Sequence, residues 1–251
     1  MSSKAAMSER LRLTGVTREY GGSVDVRAGV RGIDLAVRAG EIHALVGLNG
    51  AGKSTLMKLM VGMLRPDAGR IELLGVDAST ADADVWARVG ALIEGPLAYG
   101  ELDGRTNLAM AARLRGVPAR AIGPVVEGVL DELDLRRYAG VRAGRMSTGN
   151  KQRLGLAAAL QHGPDLIILD EPTNALDPAG IILLREALLR RSAAGAGVLV
   201  SSHHLDEVAR IASRISVIAE GRMVGHLDPR GVDIERGFFA LVRDAMTGAR
   251  S

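Results

Sequence analysis

The chain has 251 residues, of which 47% are hydrophobic, and its 32 basic and 29 acidic side chains leave a net charge of +3. This hydrophobic fraction excludes a disordered chain, while the interspersed charges and the aromatic content of 2% argue against a nucleic-acid-binding surface. The absence of cysteine excludes disulfides and thiol chemistry. We therefore expect one large domain or two small ones, with no nucleic-acid partner.

The N-terminal sequence MSSKAAMSERLRL lacks the apolar segment of a signal peptide, and residues 1–8 are expected to form a loose tail. The longest stretch without Asp, Glu, Lys or Arg runs from Ser192 to Leu205. That stretch is shorter than the roughly 20 residues of a membrane-spanning helix. We therefore expect a chain without a membrane span that resides in the cytoplasm.

Short apolar or alternating runs predict strands, and apolar residues three and four positions apart predict helices. The helical pattern between residues 96 and 142 is expected to break at Gly116-Val117-Pro118 and at Gly123-Pro124. The run 166–169 is apolar at every position, which is typical of a parallel strand covered on both faces. The order of elements predicts an α/β domain with a parallel sheet.

The predicted strands lie at 11–20, 30–37, 42–46, 71–74, 166–169, 198–200, 215–218 and 223–224, the last two forming a hairpin around Glu220-Gly221. Helices are predicted across 96–142, from Ser147, at 181–191 and at Leu205 to Ala212. A further helix is predicted after the glycine-rich loop 47–52. Its inward face is formed by Leu56, Leu59, Met60 and Met63, and Pro66 and Gly69 are expected to end it.

The stretch GLNGAGKST, residues 47–55, matches the phosphate-loop pattern and has a predicted strand before it and a predicted helix after it. Glycines permit the tight turns that point backbone N–H groups at phosphate oxygens, and the helix N-terminus favours negative charge. Lys53 is expected to reach the β- and γ-phosphates, Ser54 to bind Mg²⁺ and Thr55 to lie beside the α-phosphate. The alternative is a glycine-rich turn with a surface lysine. The predicted nucleotide-binding residues of this loop are Gly47, Asn49, Gly50, Gly52, Lys53, Ser54 and Thr55.

A second motif, LIILDEPTNALDP, places two carboxylates after a buried strand, where open α/β sheets bind ligands. Asp170 is expected to hold Mg²⁺ through water, and Glu171 to orient or deprotonate the attacking water. The alternative is an ordinary acidic pair at a turn. Together with the phosphate loop, the motif predicts hydrolysis of a nucleoside triphosphate.

These two motifs, with STGNKQ between them, resemble in order and spacing the ATP-binding subunits of ABC transporters, over about residues 11–224. The resemblance implies a P-loop NTPase of the α/β class with a RecA-like parallel-sheet core, an antiparallel β subdomain and a helical subdomain. We expect a single ATP-binding domain over 1–251. Its core lies at about 9–94 and 164–226, its helical subdomain at about 95–163, and a C-terminal tail at 227–251.

In this family the STGNKQ position opens a helix that binds the γ-phosphate of ATP held by the other subunit. The resemblance therefore assigns Ser147 and the backbone amides around Gly149 to the ATP of a partner chain. Thr148 and Asn150 depart from the family's usual glycine and glutamine. The alternative is that Ser147 is only a helix N-cap.

Four further roles follow from the resemblance. Tyr20 is expected to stack on adenine, although an insert at residues 22–30 blurs its alignment, and the alternative is an ordinary strand tyrosine. Glu94 occupies the place of a loop glutamine that contacts Mg²⁺ and the attacking water, and it is expected to bind the metal or its water unless it is a solvated loop acid. His203 matches the histidine that contacts the γ-phosphate and is expected to act in catalysis. Asp177 matches the key acid of the loop after the second acidic motif, which communicates between the two nucleotide sites, and it is expected among the nucleotide-binding residues.

The resemblance implies an ATPase that uses Mg²⁺, forms a homodimer or heterodimer around ATP, and powers a transmembrane permease on a separate chain. The chain is then peripheral to the inner face of the cell membrane. The short strings around Glu94 and Ser147 are most similar to exporters of antibiotic peptides and lantibiotics, so the expected cargo is a small molecule or peptide antibiotic. A cytosolic ABC-type ATPase that acts on a soluble assembly complex is the alternative. A P-loop kinase or GTPase lacks the signature helix and the switch histidine.

Overall fold

The computed structural model describes residues 8–21, 29–96 and 98–248, so the predicted N-terminal tail lies outside it except for Ser8. Strands and helices follow the chain order expected of an α/β domain. The strands are β1 Glu9–Glu19, β2 Gly29–Arg38, β3 Ile42–Val46, β4 Ala68–Leu73, β5 Val76–Asp77, β6 Val89–Leu92, β7 Leu166–Leu169, β8 Gly197–Ser202, β9 Arg214–Ala219 and β10 Arg222–Leu227. The helices are α1 Lys53–Met60, α2 Ala83–Ala87, α3 Gly104–Leu114, α4 Ala119–Glu132, α5 Thr148–Leu160, α6 Pro178–Ala193, α7 Leu205–Ala209 and α8 Ile234–Gly248.

The central sheet has the strand order β10-β9-β3-β8-β7-β6. All neighbouring strands in it are parallel except β10 and β9, which form the predicted hairpin. Because β3, β7 and β8 run in the same direction, their carboxyl ends meet at one edge of the sheet. Gly47, Asp170 and His203 follow those three ends, so the fold brings the phosphate loop, the acidic pair and the histidine to one edge.

The central sheet lies between two separate apolar clusters. Along β7, Ile167 and Leu169 belong to one cluster, whereas Leu166 and Ile168 belong to the other. This alternation explains why every residue of the strand is apolar, since both faces of a parallel sheet are covered. Burial of a side chain of this size contributes about 1.5–3 kcal/mol, so the strand is firmly held in the core.

A second, antiparallel sheet, β2-β1-β4-β5, covers one face together with α1. The four apolar residues Leu56, Met57, Leu59 and Met60 make α1 amphipathic, and all of them are buried. Helices α3, α4 and α5 pack together and contribute to the cluster on the opposite face. The antiparallel β subdomain and the helical subdomain are therefore both present, as predicted for a P-loop NTPase of the RecA-like α/β class.

Three local predictions were wrong. Met63 is 58% exposed and lies beyond α1, because Gly62 has a φ of +73° and ends the helix earlier, before Pro66 and Gly69. The expected break at Gly123-Pro124 is absent, since α4 runs through Pro124. A proline inside a helix costs about 3 kcal/mol, but α4 buries four apolar side chains, and their burial offsets that cost. Ala212 lies outside α7, which ends at Ala209.

Two elements near the site were not anticipated. Residues 89–92, for which no element was predicted, form the edge strand β6, which pairs with β7. Residues 234–248, grouped with the C-terminal tail, form α8, which buries Phe238 and Val242 and contacts β9 and β10. Within the ranges that the structure describes, no helix combines the length and apolarity needed to cross a bilayer.

Candidate active site

The phosphate loop joins β3 to α1, and two of its glycines cannot be replaced without a clash. A Cβ atom on Gly47 would lie 2.4 Å from the carbonyl oxygen of Ile218. Gly52 has a φ of +106°, and a Cβ there would lie 2.9 Å from Cγ1 of Val30. Gly52 is also the N-cap of α1 and supplies no capping side chain. The first turn of α1 thus has the form of a phosphate site, where N–H groups and the helix dipole favour an anion.

Lys53 is buried at the first position of α1, with only 6% of its surface exposed. Its Nζ donates to the carbonyl oxygens of Gly47 at 2.6 Å and Leu48 at 3.3 Å, and it lies 3.3 Å from Oε1 of Glu171. Of the remaining predicted loop residues, Asn49 and Gly50 are exposed, and Ser54 and Thr55 lie half-buried on the first turn of α1.

Glu171 is held between Lys53 and His203. Oε2 of Glu171 lies 2.8 Å from Nδ1 of His203, and the backbone of Glu171 has a φ of +47°. A non-glycine residue in this left-handed region costs about 1–3 kcal/mol, so its surroundings must fix it. Ser201 does so: its Oγ accepts the backbone N–H of Glu171 at 2.9 Å and donates to Oδ1 of Asp170 at 2.5 Å.

Ser201 is a site residue that the sequence interpretation missed. It lies in the same SSHH string as His203. It is fully buried on β8, where a polar side chain is not needed for the apolar packing of the strand. Two serines at the end of an otherwise apolar strand, beside a strand that is followed by two carboxylates, are the signal that identifies it. Its hydroxyl ties the predicted metal ligand to the backbone of the predicted base.

The donor atoms present fit a Mg²⁺ ion bound together with substrate phosphates. Asp170 is buried, with 8% of its surface exposed, and its carboxylate and the Ser54 hydroxyl are the hard oxygen ligands that Mg²⁺ prefers. No group of three or more His, Cys, Asp or Glu able to hold a metal occurs among the described residues. Mg²⁺ commonly takes only one or two carboxylates and completes its coordination with phosphate and water, so this sparse set suffices.

Among the described residues, neither Glu94 nor Tyr20 forms a hydrogen bond or an ion pair with Lys53, Asp170 or Glu171. Glu94 pairs with Lys58 of α1, and its side chain is 54% exposed. Within the described ranges, no hydrogen bond or ion pair joins Glu94 to Asp170 or Glu171. Tyr20 is 40% exposed just beyond β1, with the guanidinium of Arg18 5.5 Å from its ring centroid, and residues 22–28 are not described. The roles of Glu94 and Tyr20 remain predictions.

Ser147 is the N-cap of α5, because its Oγ accepts the backbone N–H of Asn150 at 3.3 Å. Gly149 fits closely against another loop, since a Cβ atom there would lie 2.7 Å from the carbonyl oxygen of Ala175. The N-cap alternative is therefore observed. A serine hydroxyl that caps a helix also lies where an anion binds, so the phosphate role of Ser147 and Gly149 remains a prediction.

Asp177 makes its contacts within the chain. Its Oδ1 accepts the backbone N–H of Gly180 at 2.8 Å and caps α6, and it pairs with the guanidinium of Arg153. The Gly180 N–H, followed by Arg153, lowers the pKa of the Asp177 carboxyl below its ordinary value. Asp177 is therefore ionised at neutral pH, while a role in nucleotide binding remains a prediction.

A phosphate loop between a parallel strand and a helix, facing two carboxylates at the neighbouring strand end, defines a P-loop nucleoside triphosphatase. The ABC transporter family matches residues 30–174, more than half of the chain. The chain belongs to the ABC transporter family, in which it is an ATP-binding subunit and an ATPase.

Curated relatives have the same character. The chain is 33% identical over 219 residues to the bacitracin transport ATP-binding protein BcrA of Bacillus licheniformis, covering 87% of this chain and 69% of that protein. It is 39% identical over 210 residues to BcrA of Enterococcus faecalis, covering 83% and 66% of the two chains. It is 36% identical to the Nod factor export ATP-binding protein I of Burkholderia lata, covering 81% and 67%. The chain thus spans about two thirds of these relatives.

Solved structures agree with the fold. The structure of an ATP-binding subunit of an ABC transporter superposes with a TM-score of 0.79 and 28% identity, covering 95% of this chain and 98% of that one. A dimeric post-hydrolysis structure of the cassette MJ0796, bound to ADP and Pi, has a TM-score of 0.77 at 23% identity and covers 88% and 99%. At that identity the second comparison supports the fold alone.

Proposed function

We propose that this chain dimerises around ATP and powers a separate membrane permease that exports a small molecule or peptide antibiotic. The observation that carries the proposal is the division of the site. Lys53 and His203 each contact Glu171 at the sheet edge, whereas no hydrogen bond or ion pair in the described ranges joins Ser147 to any of these three residues. The Ser147 cap is then available to the triphosphate of a second subunit.

The contacts of the sheet edge suggest how hydrolysis proceeds. Lys53 and the amides of the phosphate loop bind the phosphates, and Glu171 takes or orients a proton of the attacking water. Ser54 and Asp170 would hold Mg²⁺, which supplies charge neutralisation when it is bound. Because a carboxylate only accepts hydrogen bonds, His203 donates its Nδ1–H to Glu171. With the Nδ1–H given to Glu171, Nε2 of the neutral ring carries no proton. Nε2 can donate a hydrogen bond to the γ-phosphate only when the ring is protonated.

The dimer is tested with Glu171→Gln. Removing the base stops hydrolysis while the phosphate contacts of Lys53 remain, so ATP is retained. We expect ATP with Mg²⁺ to convert the variant from monomer to dimer in light scattering, and ADP to leave it monomeric. A variant that binds ATP normally and stays monomeric at every protein concentration would contradict the proposal.

An apolar groove supports the permease as partner. It has a volume of about 410 Å³ and lies between β6 with the loop after it and helices α3 and α5. Tyr99 and Leu114 at this groove are 60% and 78% exposed. Ile93 and Gly95, the neighbours of Glu94, also line it. An apolar segment of another protein placed here would lie next to the loop that carries Glu94, whose predicted contact with Mg²⁺ or its water would couple the partner to hydrolysis.

Co-purification tests this partner. The tagged chain is extracted from membranes in mild detergent, and a protein with several apolar spans is expected to accompany it. The tagged chain is compared with the variant Leu114→Glu, which places a charge in the groove. This variant is expected to lose the association with the membrane protein while it still binds ATP. Recovery of only soluble partners by both forms would favour the cytosolic assembly ATPase instead.

A further inference from the structure

The first two turns of α5 contact the segment that follows Glu171, and we call residues 172–180 the post-acid segment. Gln152 is buried, and its Nε2 donates to the carbonyl oxygen of Pro172 at 3.1 Å. Gly149 fits against Ala175, as described above. Arg153 pairs with Asp177. The contacts are therefore spread along the segment from its first residue to the start of α6.

The Arg153 contact is the most constrained of the set. Arg153 is 6% exposed, and a Cβ atom on Gly180 would lie 3.0 Å from its Nε and 3.3 Å from its Nη2. Glycine at 180 thus makes room for the guanidinium. Asp177 meets it with the same Oδ1 that caps α6. A buried guanidinium needs an anionic partner, and Asp177, whose side chain is 58% exposed, supplies one to Arg153 from the post-acid segment.

We propose that Arg153 is a positioning residue for ATP hydrolysis, which fixes the post-acid segment and through it the catalytic carboxylate of Glu171. The inference rests on the proposed function. Pro172 follows Glu171 directly, and Glu171 has a strained backbone, so a shift of the segment moves the carboxylate. In the proposed dimer, Ser147 on the same helix contacts the ATP of the other site. Arg153 then links the phosphate contact of one site to the base of the other.

Asp134 supplies a matched control. Nη1 of Arg153 lies 3.6 Å from Oδ2 of Asp134, a contact that leaves the post-acid segment untouched. Asp177→Asn removes the charge that Arg153 meets and retains an oxygen that caps α6. Asp134→Asn and Asp177→Asn therefore remove one carboxylate each from the same guanidinium, and only the second change affects the segment.

The experiment compares steady-state ATP hydrolysis and ATP binding in Arg153→Met, Asp177→Asn, their combination, Arg153→Lys and Asp134→Asn. We expect Arg153→Met to lower kcat on the order of tenfold or more, with KM for ATP changed by less than about threefold. Asp177→Asn should behave alike, the double variant should be no slower than either single one, and Arg153→Lys should restore most of kcat. Asp134→Asn should hydrolyse ATP as the parent does.

A kcat of Asp177→Asn within about twofold of the parent would overturn the inference, and so would additive losses in the double variant. Asp177→Asn decides the matter even if Arg153→Met does not fold. The parent and Glu171→Gln are measured first. If Glu171→Gln fails to dimerise in ATP, the proposed function fails, whereas a normal Glu171→Gln dimer with an unaffected Asp177→Asn contradicts only the role of Arg153.

Discussion

Helices α1 and α5 both begin at a predicted phosphate contact, and their first turns differ. Gly52 starts α1 without a capping side chain, and the buried Lys53 follows it. Ser147 starts α5 and caps it through the Asn150 N–H. The α1 terminus thus offers uncapped amides and a cation, whereas the α5 terminus offers a hydroxyl and a dipole. If both termini bind ATP as proposed, we expect α1 to provide most of the affinity and α5 a weaker contact that can form and dissociate reversibly.

Lys53→Ala is the change with the largest expected effect on this comparison. It removes the cation of the α1 site, and we expect ATP affinity of the monomer to fall about 100-fold, or about 2.8 kcal/mol. Titration of a fluorescent ATP analogue measures the loss. Lys151→Ala, on α5, is the control and should bind ATP within about threefold of the parent. If the parent, Lys53→Ala and Lys151→Ala bind ATP equally well, Lys53 does not contribute to ATP binding, and the expected difference between α1 and α5 is wrong.

Ser147→Ala has a smaller expected effect. In the Glu171→Gln background we expect the ATP-dependent dimer to weaken about tenfold, or about 1.4 kcal/mol, with ATP affinity of the monomer unchanged. Loss of the N-cap also lowers the free energy of unfolding by about 1 kcal/mol. Asp103→Ala removes the N-cap of α3, which accepts the Thr106 N–H, so it controls for the stability loss alone.

The two variants are compared by light scattering and thermal unfolding. Asp103→Ala should unfold more easily and dimerise as the Glu171→Gln parent does. If Ser147→Ala and Asp103→Ala affect dimerisation equally, Ser147 is only a helix cap, and the α5 terminus has no part in binding ATP.

The sheet edge was largely predictable from the sequence. Glycine-rich loops and apolar strands have local signatures, so the bounds of β3 and β7 were predicted as the structure has them. The phosphate loop and the acidic pair were predicted from the strands that precede them, which needs only the period of the pattern and the position of each strand end. His203 was assigned through the resemblance to the family, not through strand direction.

The remaining features depend on contacts between distant parts of the chain. Burial of apolar side chains of α4 outweighs the local preference of Pro124 against helix, and no local pattern reveals that balance. Ser201 acquires its role only because β8 lies beside β7. Arg153 is an ordinary polar residue of α5 until Gly180 and Asp177 surround it. The helix through Pro124 and the roles of Ser201 and Arg153 therefore follow from tertiary contacts, which the periodicity of the sequence does not reveal.

The separation of the two apolar clusters by the central sheet has an evolutionary consequence. Substitutions at well-separated sites without shared partners affect stability almost independently. Substitutions on the face covered by α3, α4 and α5 can therefore accumulate while the packing behind α1 stays unchanged. If the permease docks on that face as proposed, a gene duplicate of this chain can adapt to a different permease and retain the same residues for using ATP.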